Sequence, residues 1–436
     1  MNKLIKGLSY IFVFAGLTSW LLLLPGFSIS GFTANLNTSA TIAFFFIVMN
    51  MVYYLFIIVT SLFYRPVKPL ADEELPEVTV IVPAYNEGYD VVRTIDSVVS
   101  GDYPREKLRI IAIDDGSADD TWQWICKAAE AYPDVVTTMK HPHNCGKRRA
   151  LYNGFMAAKS EFLVSVDSDS TISANALRAI VTRFIKEPRV GGVAGYPRVS
   201  NLEEGILPRM LDVGFVFAFE LIRSSQSVFH GVFCTPGALS GYRRSALLPV
   251  LDAWVDEKFF GVASGIGEDR ALSTALLRDD HWVVFERNAV TMTKMPTAFK
   301  NVCKVFLRWG RGDLRETIKM YTFIFHHFST QRMVLLFNML MQTIWVISPF
   351  FWVSSSLMLT FGNSWLLAAM FLFSVLFWAS IPAALYALRS GIENAIWAYS
   401  YALFYALFMF WLMPYSLFSI NNSQWGTRGA AVPVKH

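Results

Sequence analysis

Asp167 and Asp169 close the run Phe-Leu-Val-Ser-Val-Asp-Ser-Asp-Ser and set two carboxylates one residue apart. A strand would deliver them to its C-terminal tip, and period-two alternation would aim both side chains the same way. Like charges that close repel unless a cation lies between them. Hard oxygen ligands suit Mg²⁺ or Mn²⁺, ions that usually also hold a substrate's phosphates. An acidic loop after a buried strand has the same pattern, so its meaning depends on its neighbours.

Those neighbours are polar clusters at the ends of other apolar runs. Val78–Val82 is β-branched and meets Pro83, which predicts a strand entering a loop at Asn86-Glu87. Leu108–Ile113 predicts a second strand, ending at Asp114-Asp115-Gly116-Ser117. Phe162–Val166 and Val190–Ala194 predict a third and a fourth. Helical spacing covers 90–100, where Val91, Val92, Ile95, Val98 and Val99 precede Gly101, and helices are also predicted over 119–131 and 148–159. Strands alternating with helices imply an α/β domain with a mostly parallel sheet, whose ligands bind beyond the strand C-termini. Asn86, Asp114 and Asp115 are also good turn formers, but three such clusters on one sheet edge point to a site.

Known phosphate-binding loops are missing. No Gly-x-Gly-x-x-Gly follows the first strand, which argues against a dinucleotide dehydrogenase. Asn144-Cys145-Gly146-Lys147 lacks the earlier glycine and the Ser/Thr of a P-loop. His141, His143 and Cys145 alternate in a Pro-containing loop and raise the question of zinc, but no second ligand pair is visible. The four cysteines show no metal or redox spacing, so reduced thiols are the expectation.

Composition frames this domain with membrane-like blocks. The chain has 436 residues, 54% hydrophobic and only 17% charged. From Met1 to Tyr64 the charges are Lys3 and Lys6; from Met333 to Gln424 they are Arg389 and Glu393. Residues 9–27, 41–63, 333–360, 364–388 and 394–420 are each long enough to span a bilayer. The first could also be a signal peptide. Arg65, Lys68 and Arg332 flank the spans, so positive-inside bias places the charged domain in the cytoplasm. The expected layout is two N-terminal spans (1–64), a catalytic domain (65–300), amphipathic interfacial helices (301–332), a C-terminal bundle (333–424) and a short tail (425–436). Over 301–320, Val302, Val305, Phe306 and Trp309 would face lipid. A net charge of +4 with no basic, aromatic-laced cluster argues against nucleic acid as a partner.

The ordered motifs carry a resemblance. Thr79–Gly88, Asp114-Asp115-Gly116-Ser117, Asn144-x-Gly146-Lys147-Arg148, Asp167-Ser168-Asp169, Gly267-Glu268-Asp269-Arg270, Arg308-Trp309 and Trp425-Gly426-Thr427-Arg428 together resemble a processive family-2 glycosyltransferase. The nearest branch is hyaluronan synthase with the rhizobial chitin-oligosaccharide synthase. The resemblance implies a GT-A fold inserted between transmembrane helices and a cell-membrane location. It implies UDP-sugar donors, UDP-GlcNAc and UDP-GlcA, a growing β-linked polysaccharide secreted through the protein's own bundle, and Mg²⁺ or Mn²⁺ as cofactor. Ala84, Tyr85, Glu87, Asp115 and Ser168 would bind the nucleotide-sugar, with Lys147 and Arg308 near its diphosphate. Asp169, supported by Asp167, would hold the metal. Asp269 would be the base, with Glu268 and Arg270 shaping its field, although acids are favoured at a helix N-terminus anyway. Gly237 would let the backbone approach the acceptor, and Trp309 would stack on it.

The chain departs from that pattern twice. Gly237-Ala238 stands where hyaluronan and chitin enzymes usually have Gly-Pro, nearer to cellulose-type and poly-N-acetylglucosamine enzymes. Val305 stands where the family carries the glutamine of Gln-x-x-Arg-Trp, a variant that resembles mannuronan synthase. Two rival readings remain. A non-processive enzyme loading one sugar onto a lipid phosphate would not need Arg308-Trp309 or so large a bundle. A transporter would place ionisable residues within its spans.

Overall fold

The computed structural model describes residues 38–326, 329–359 and 364–423. Helix α1 (Thr38–Ser61) leads into an α/β domain. Its first half runs β1 (Val78–Ala84), α2 (Asp90–Val99), β2 (Leu108–Asp114), α3 (Thr121–Ala131), β3 (Val136–Lys140), α4 (Lys147–Ala157) and β4 (Phe162–Ser165). The short β5 (Thr171–Ile172), α5 (Ala176–Lys186) and β6 (Val190–Val199) follow. Then α6 (Ile206–Val216) continues through a π-helical stretch, Phe217–Arg223, into α7 (Ser224–Val228). The second half adds β7 (Ser240–Arg243), α8 (Arg244–Val255), a small hairpin of β8 (Lys258–Phe259) and β9 (Val262–Ala263), α9 (Glu268–Arg278) and β10 (Trp282–Thr293).

Eight of these strands form one sheet in the order β3-β2-β1-β4-β7-β6-β10-β5. The β3-β2-β1-β4 half is parallel, as is the β6–β10 pair. β7 runs antiparallel to both its neighbours and stitches the halves together. β1 is buried along its whole length, as a central parallel strand covered on both faces must be. Val80 and Val82 pack with Ile95 of α2, Ile125 of α3 and Ile180 of α5. Ile81 turns the other way and packs with Phe155 of α4, Leu251 of α8 and Leu272 of α9. This alternation fixes a three-layer sandwich with the sheet in the middle.

Pro83 does not end β1. The Val166 N–H donates to the Ile81 carbonyl, so the odd-numbered residues turn their backbone polar groups toward β4. The β4 ladder stops at Ile81–Ser165, two residues short of Pro83. The proline's missing N–H therefore faces an edge, where it forfeits no ladder bond.

Beyond the domain lie α10 (Phe299–Phe323), α11 (Thr330–Leu359) and α12 (Ser364–Ser390). A broken segment follows: α13 (Ile396–Phe404), a π-helical stretch over Tyr405–Met409, and α14 (Leu412–Phe418). Val302 and Val305 of α10 do not face outward as expected; they are buried, Val302 in a cluster with Met409 and Leu412. Trp309 alone of that predicted stripe is strongly exposed, at 41%. The helical breaks match the predicted spans except at the last, which bends at residues 410–411. Pro414 lies beyond that bend, in the first turn of α14, where a missing N–H needs no partner. Among the described residues no single helix is long and apolar enough to cross a membrane. The pair Ile392–Met409 and Leu412–Phe418, bent by 42°, meets that length and composition together. The predicted span 9–27 and Trp425–Arg428 lie outside the described residues.

Two buried acids tie α12 to the domain. Asp212 of α6 accepts from Arg198 of β6 at 3.0 and 2.8 Å, from the Val199 N–H at 3.2 Å and from the Tyr386 hydroxyl at 2.9 Å. Glu220 is ion-paired with Arg287 at 2.9 Å and with Arg389 at 3.0 Å. Arg389 is thus a structural partner at the end of α12.

Candidate active site

The C-terminal ends of β1, β2 and β4 bring the three polar clusters to one edge, as the parallel arrangement requires. Asn86 adopts a left-handed backbone (φ 53°) and ties the first two loops together. Its N–H donates to Ser117 Oγ at 3.0 Å, and its Oδ1 accepts from the Ala118 N–H at 2.9 Å. The N–H groups of Glu87 and Gly88 donate to Thr121 Oγ1 at 2.9 and 2.8 Å. Ala84 is buried at the tip of β1, while Tyr85 and Glu87 are half-exposed beside it.

Asp115 is buried, and both its oxygens are occupied. Oδ1 accepts from His141 Nδ1 at 2.7 Å and from the Cys145 N–H at 2.9 Å; Oδ2 accepts from the Gly146 N–H at 2.8 Å. Asp115 thereby organises the loop that delivers Lys147, a positioning role that sequence reading did not anticipate. His141 Nε2 meets Asn153 Nδ2 at 2.9 Å, so both ring nitrogens have protein partners. Asp115, His141 and Cys145 do cluster, but this bonding leaves His141 no nitrogen for zinc.

Lys147 opens α4 and is 12% exposed. Its Nζ lies 2.5 Å from Asp167 Oδ1 and 3.0 Å from Glu268 Oε1. Asp167 and Asp169 are both partly exposed, while Ser168 between them is buried and its carbonyl accepts from Thr94 Oγ1 at 2.9 Å. Both carboxylates thus stay accessible just past the end of β4, and hard oxygen donors of this kind suit a divalent cation.

Gly267 carries α9 away from a left-handed turn (φ 71°), and a side chain there would meet the Gly312 backbone of α10 at 3.1 Å. Sequence reading missed Gly312. This close approach sets α10, with Arg308, against the N-terminus of α9. Burial pushes the Glu268 carboxyl up, but the Lys147 ammonium and the Arg308 guanidinium outweigh it and bring it down to about 2. Burial and the Glu268 charge push Asp269 the other way, up to about 6. The Asp269 carboxylate is aimed by two backbone donors: Gly237 N–H to Oδ2 at 3.1 Å and Arg270 N–H to Oδ1 at 2.7 Å. Adjacent carboxyls with divergent proton affinities give one fixed anion and one group able to accept a proton near neutral pH.

Gly237 is where the chain must come close. A Cβ there would lie 2.6 Å from Lys147 Nζ and 3.2 Å from Asp167 Oδ2. The Arg270 guanidinium turns away from Asp269: it covers the Phe233 ring at 4.4 Å and pairs with Asp313 at 3.7 Å. Trp309 packs against Phe306 and Phe215, at 5.4 and 6.2 Å between ring centres. Lys147, Asp167, Gly237, Glu268 and Asp269 thus meet in one cluster with Arg308 in electrostatic reach, and the Asp115 loops border it.

Residues 79–250 match the family described as Glycosyl transferase family 2. An N-acetylglucosaminyltransferase of Rhizobium meliloti (strain 1021) is 32% identical over 251 residues, 57% of this chain and 58% of that protein. One from Rhizobium leguminosarum bv. viciae is 30% identical over 260 residues, 59% of this chain and 61% of that protein. The chain therefore spans about three fifths of these curated relatives' length. The mannosyltransferase PcManGT of Pyrobaculum calidifontis, solved with GDP-Man and Mn²⁺, superposes with a TM-score of 0.59 at 19% identity. That match covers 85% of this chain and 98% of the other, and the likeness is one of fold.

Proposed function

We propose that this chain, which carries a family-2 glycosyltransferase domain of GT-A-like fold, transfers a hexosyl group from a nucleoside diphosphate sugar to a sugar hydroxyl with inversion. The observation that supports this most strongly is Asp269, a half-buried carboxyl pushed up to about 6 and aimed by two backbone N–H groups beside the Lys147–Asp167 pair. The acceptor hydroxyl gives its proton to Asp269 while its oxygen attacks the donor's anomeric carbon. The bond from that carbon to the diphosphate breaks, and the nucleoside diphosphate leaves. One base and a single displacement suffice, without a carboxylate nucleophile. Lys147 and Arg308 offset the charge on the departing diphosphate. Asp169 and Asp167 would hold Mg²⁺ or Mn²⁺, which supplies further charge neutralisation when bound.

The sugar is N-acetylglucosamine, in a chitin-oligosaccharide or poly-N-acetylglucosamine product. The names of the curated relatives support this reading over the hyaluronan-type polymer, while Gly237-Ala238, which departs from hyaluronan and chitin enzymes alike, favours the poly-N-acetylglucosamine form. Trp309, exposed near the middle of α10 one residue after Arg308, supplies an aromatic face for a growing chain. The charge-poor helices α1, α11, α12 and the bent α13–α14 segment support a seat in the cell membrane, with the catalytic face cytoplasmic and product passing through the bundle. The test is nucleotide release and product size from detergent-purified protein with Mn²⁺. UDP-GlcNAc alone should yield β-linked oligosaccharide. A strict requirement for UDP-GlcA as well would restore the hyaluronan reading, and silence with every UDP- and GDP-sugar would remove the enzyme reading.

A further inference from the structure

The side of Asp269 away from Lys147 is also built, by residues that no motif names. Successive residues of a helix point about 100° apart. Glu268 faces Lys147 and Arg308, Arg270 faces Phe233 and Asp313, and Asp269 lies between the two directions.

On the Arg270 side a line of contacts runs across two helices, from the exposed Trp309 to the buried Phe219. Trp309 and Asp313 are four residues apart and share one face of α10. The Trp309 ring meets Phe215 at 6.2 Å, and Phe215 stacks on Phe219 at 6.2 Å. The Arg223 guanidinium covers Phe219 at 3.8 Å, and its Nε donates to the Cys234 carbonyl at 3.3 Å. Cys234 lies three residues before Gly237, whose N–H holds the base. Asp313 keeps 41% of its side chain accessible while it pairs with Arg270, and partial burial pushes its carboxyl up. Arg223 is likewise only partly covered, with Asp313, Cys234 and Asp269 acting on it electrostatically.

Aromatic rings interleaved with fixed donors and acceptors are suited to a sugar, which offers apolar ring faces and equatorial hydroxyls. The charges on this wall balance: Arg223 and Arg270 against Asp313 and Asp269. A uronic acid would bring a third carboxylate beside two that have no spare cation, and burying an unmatched charge is costly.

We propose that Arg223 and Asp313, with the rings of Trp309 and Phe215, form the acceptor subsite, backed by the buried Phe219, and that its charge balance selects an uncharged sugar. This rests on Asp269 being the base of a glycosyl transfer. It names the acceptor class as a neutral, N-acetylhexosamine-type chain end, so that one donor suffices.

The experiment measures transfer from UDP-GlcNAc to short chitin oligosaccharides by the full-length protein, with UDP affinity measured in parallel. Arg223→Gln and Asp313→Asn should each raise the acceptor KM by about 10-fold or more while UDP affinity stays unchanged, and Arg223→Lys should recover part of the loss. Asp313→Asn should also improve use of an acceptor ending in glucuronate relative to the unaltered protein. Retained UDP affinity shows that a variant is folded. Unchanged acceptor KM in both variants, in a protein that transfers sugar, would overturn the subsite alone. Absence of any transfer by the unaltered protein would overturn the glycosyltransferase reading and this inference with it.

Discussion

Lys147 and Asp167 form a 2.5 Å ion pair that joins the first turn of α4 to the loop after β4. The ammonium also reaches Glu268 at 3.0 Å, so one cation bridges the loop after β4 and the helix that carries Asp269. Lys147→Met removes the charge that offsets both Asp167 and Glu268. It should lower kcat by about 10²–10³-fold, the range seen when a fixed electrostatic stabiliser is lost. Steady-state nucleotide release measures this. Lys147→Arg should not restore activity, because a planar fork does not fit the space that the Gly237 backbone leaves around a point charge.

Gly237→Ala tests that crowding from the other side. A methyl group 2.6 Å from Lys147 Nζ must push the ammonium away from its acids or shift the Gly237 N–H off Asp269. Activity should fall by about 10-fold or more through misplacement of the reacting groups. The melting temperature should hardly move, since Gly237 is partly exposed and its φ is not in the left-handed region.

The raised proton affinity of Asp269 sets the pH dependence. Below about 6 its carboxyl is protonated and cannot take the acceptor's proton, so kcat/KM should decline about tenfold per pH unit there. Stability follows with a definite sign. The folded-state value lies above the ordinary 3.8, so the favourable contribution is full below about 3.8 and is lost as pH rises through about 6. Asp269→Asn should therefore abolish transfer, yet raise the melting temperature more at pH 7.5 than at pH 4. Equal shifts at both pH values would remove Asp269 as the ionising group.

Metal dependence is the next expectation. Chelation should silence nucleotide release, and Mn²⁺ or Mg²⁺ should restore it. Asp169→Asn should raise the metal concentration needed for half-maximal rate by about 10–100-fold, while Ser168→Ala, at a buried side chain, should leave that requirement unchanged. Metal titration of the rate reads both.

Much of this site was legible because its parts sit at strand and helix ends, where short polar clusters interrupt apolar runs. Asp114-Asp115, Asp167/Asp169 and Gly267–Arg270 announce themselves that way. Arg223 and Asp313 do not: each is a single residue brought in from a separate element, and only the packing of the π-helical stretch, α9 and α10 brings them together. Gly312 was equally silent, because a glycine inside a helical pattern gives no hint of which backbone will approach it. Pro83 and Val302 were misread for a related reason. Whether a proline ends a strand depends on where its neighbour's ladder stops, and whether an apolar helix face meets lipid or protein depends on a segment a hundred residues away.

The last prediction concerns the join between the catalytic domain and the C-terminal helices. Asp212 is fully buried and accepts from Arg198, the Val199 N–H and the Tyr386 hydroxyl. Asp212→Ala strands the Arg198 guanidinium and should destabilise the fold by about 3–5 kcal/mol. Tyr386→Phe removes a single hydrogen bond to a charged acceptor and should cost about 1.5–3 kcal/mol. Thermal unfolding in detergent measures both. Because Asp212 lies on the helix that continues through the π-helical stretch to Arg223, loosening this anchor should also weaken acceptor use before it affects UDP binding. A Tyr386→Phe protein with normal acceptor KM but a lowered melting temperature would show that the anchor holds α12 without positioning the wall beside Asp269.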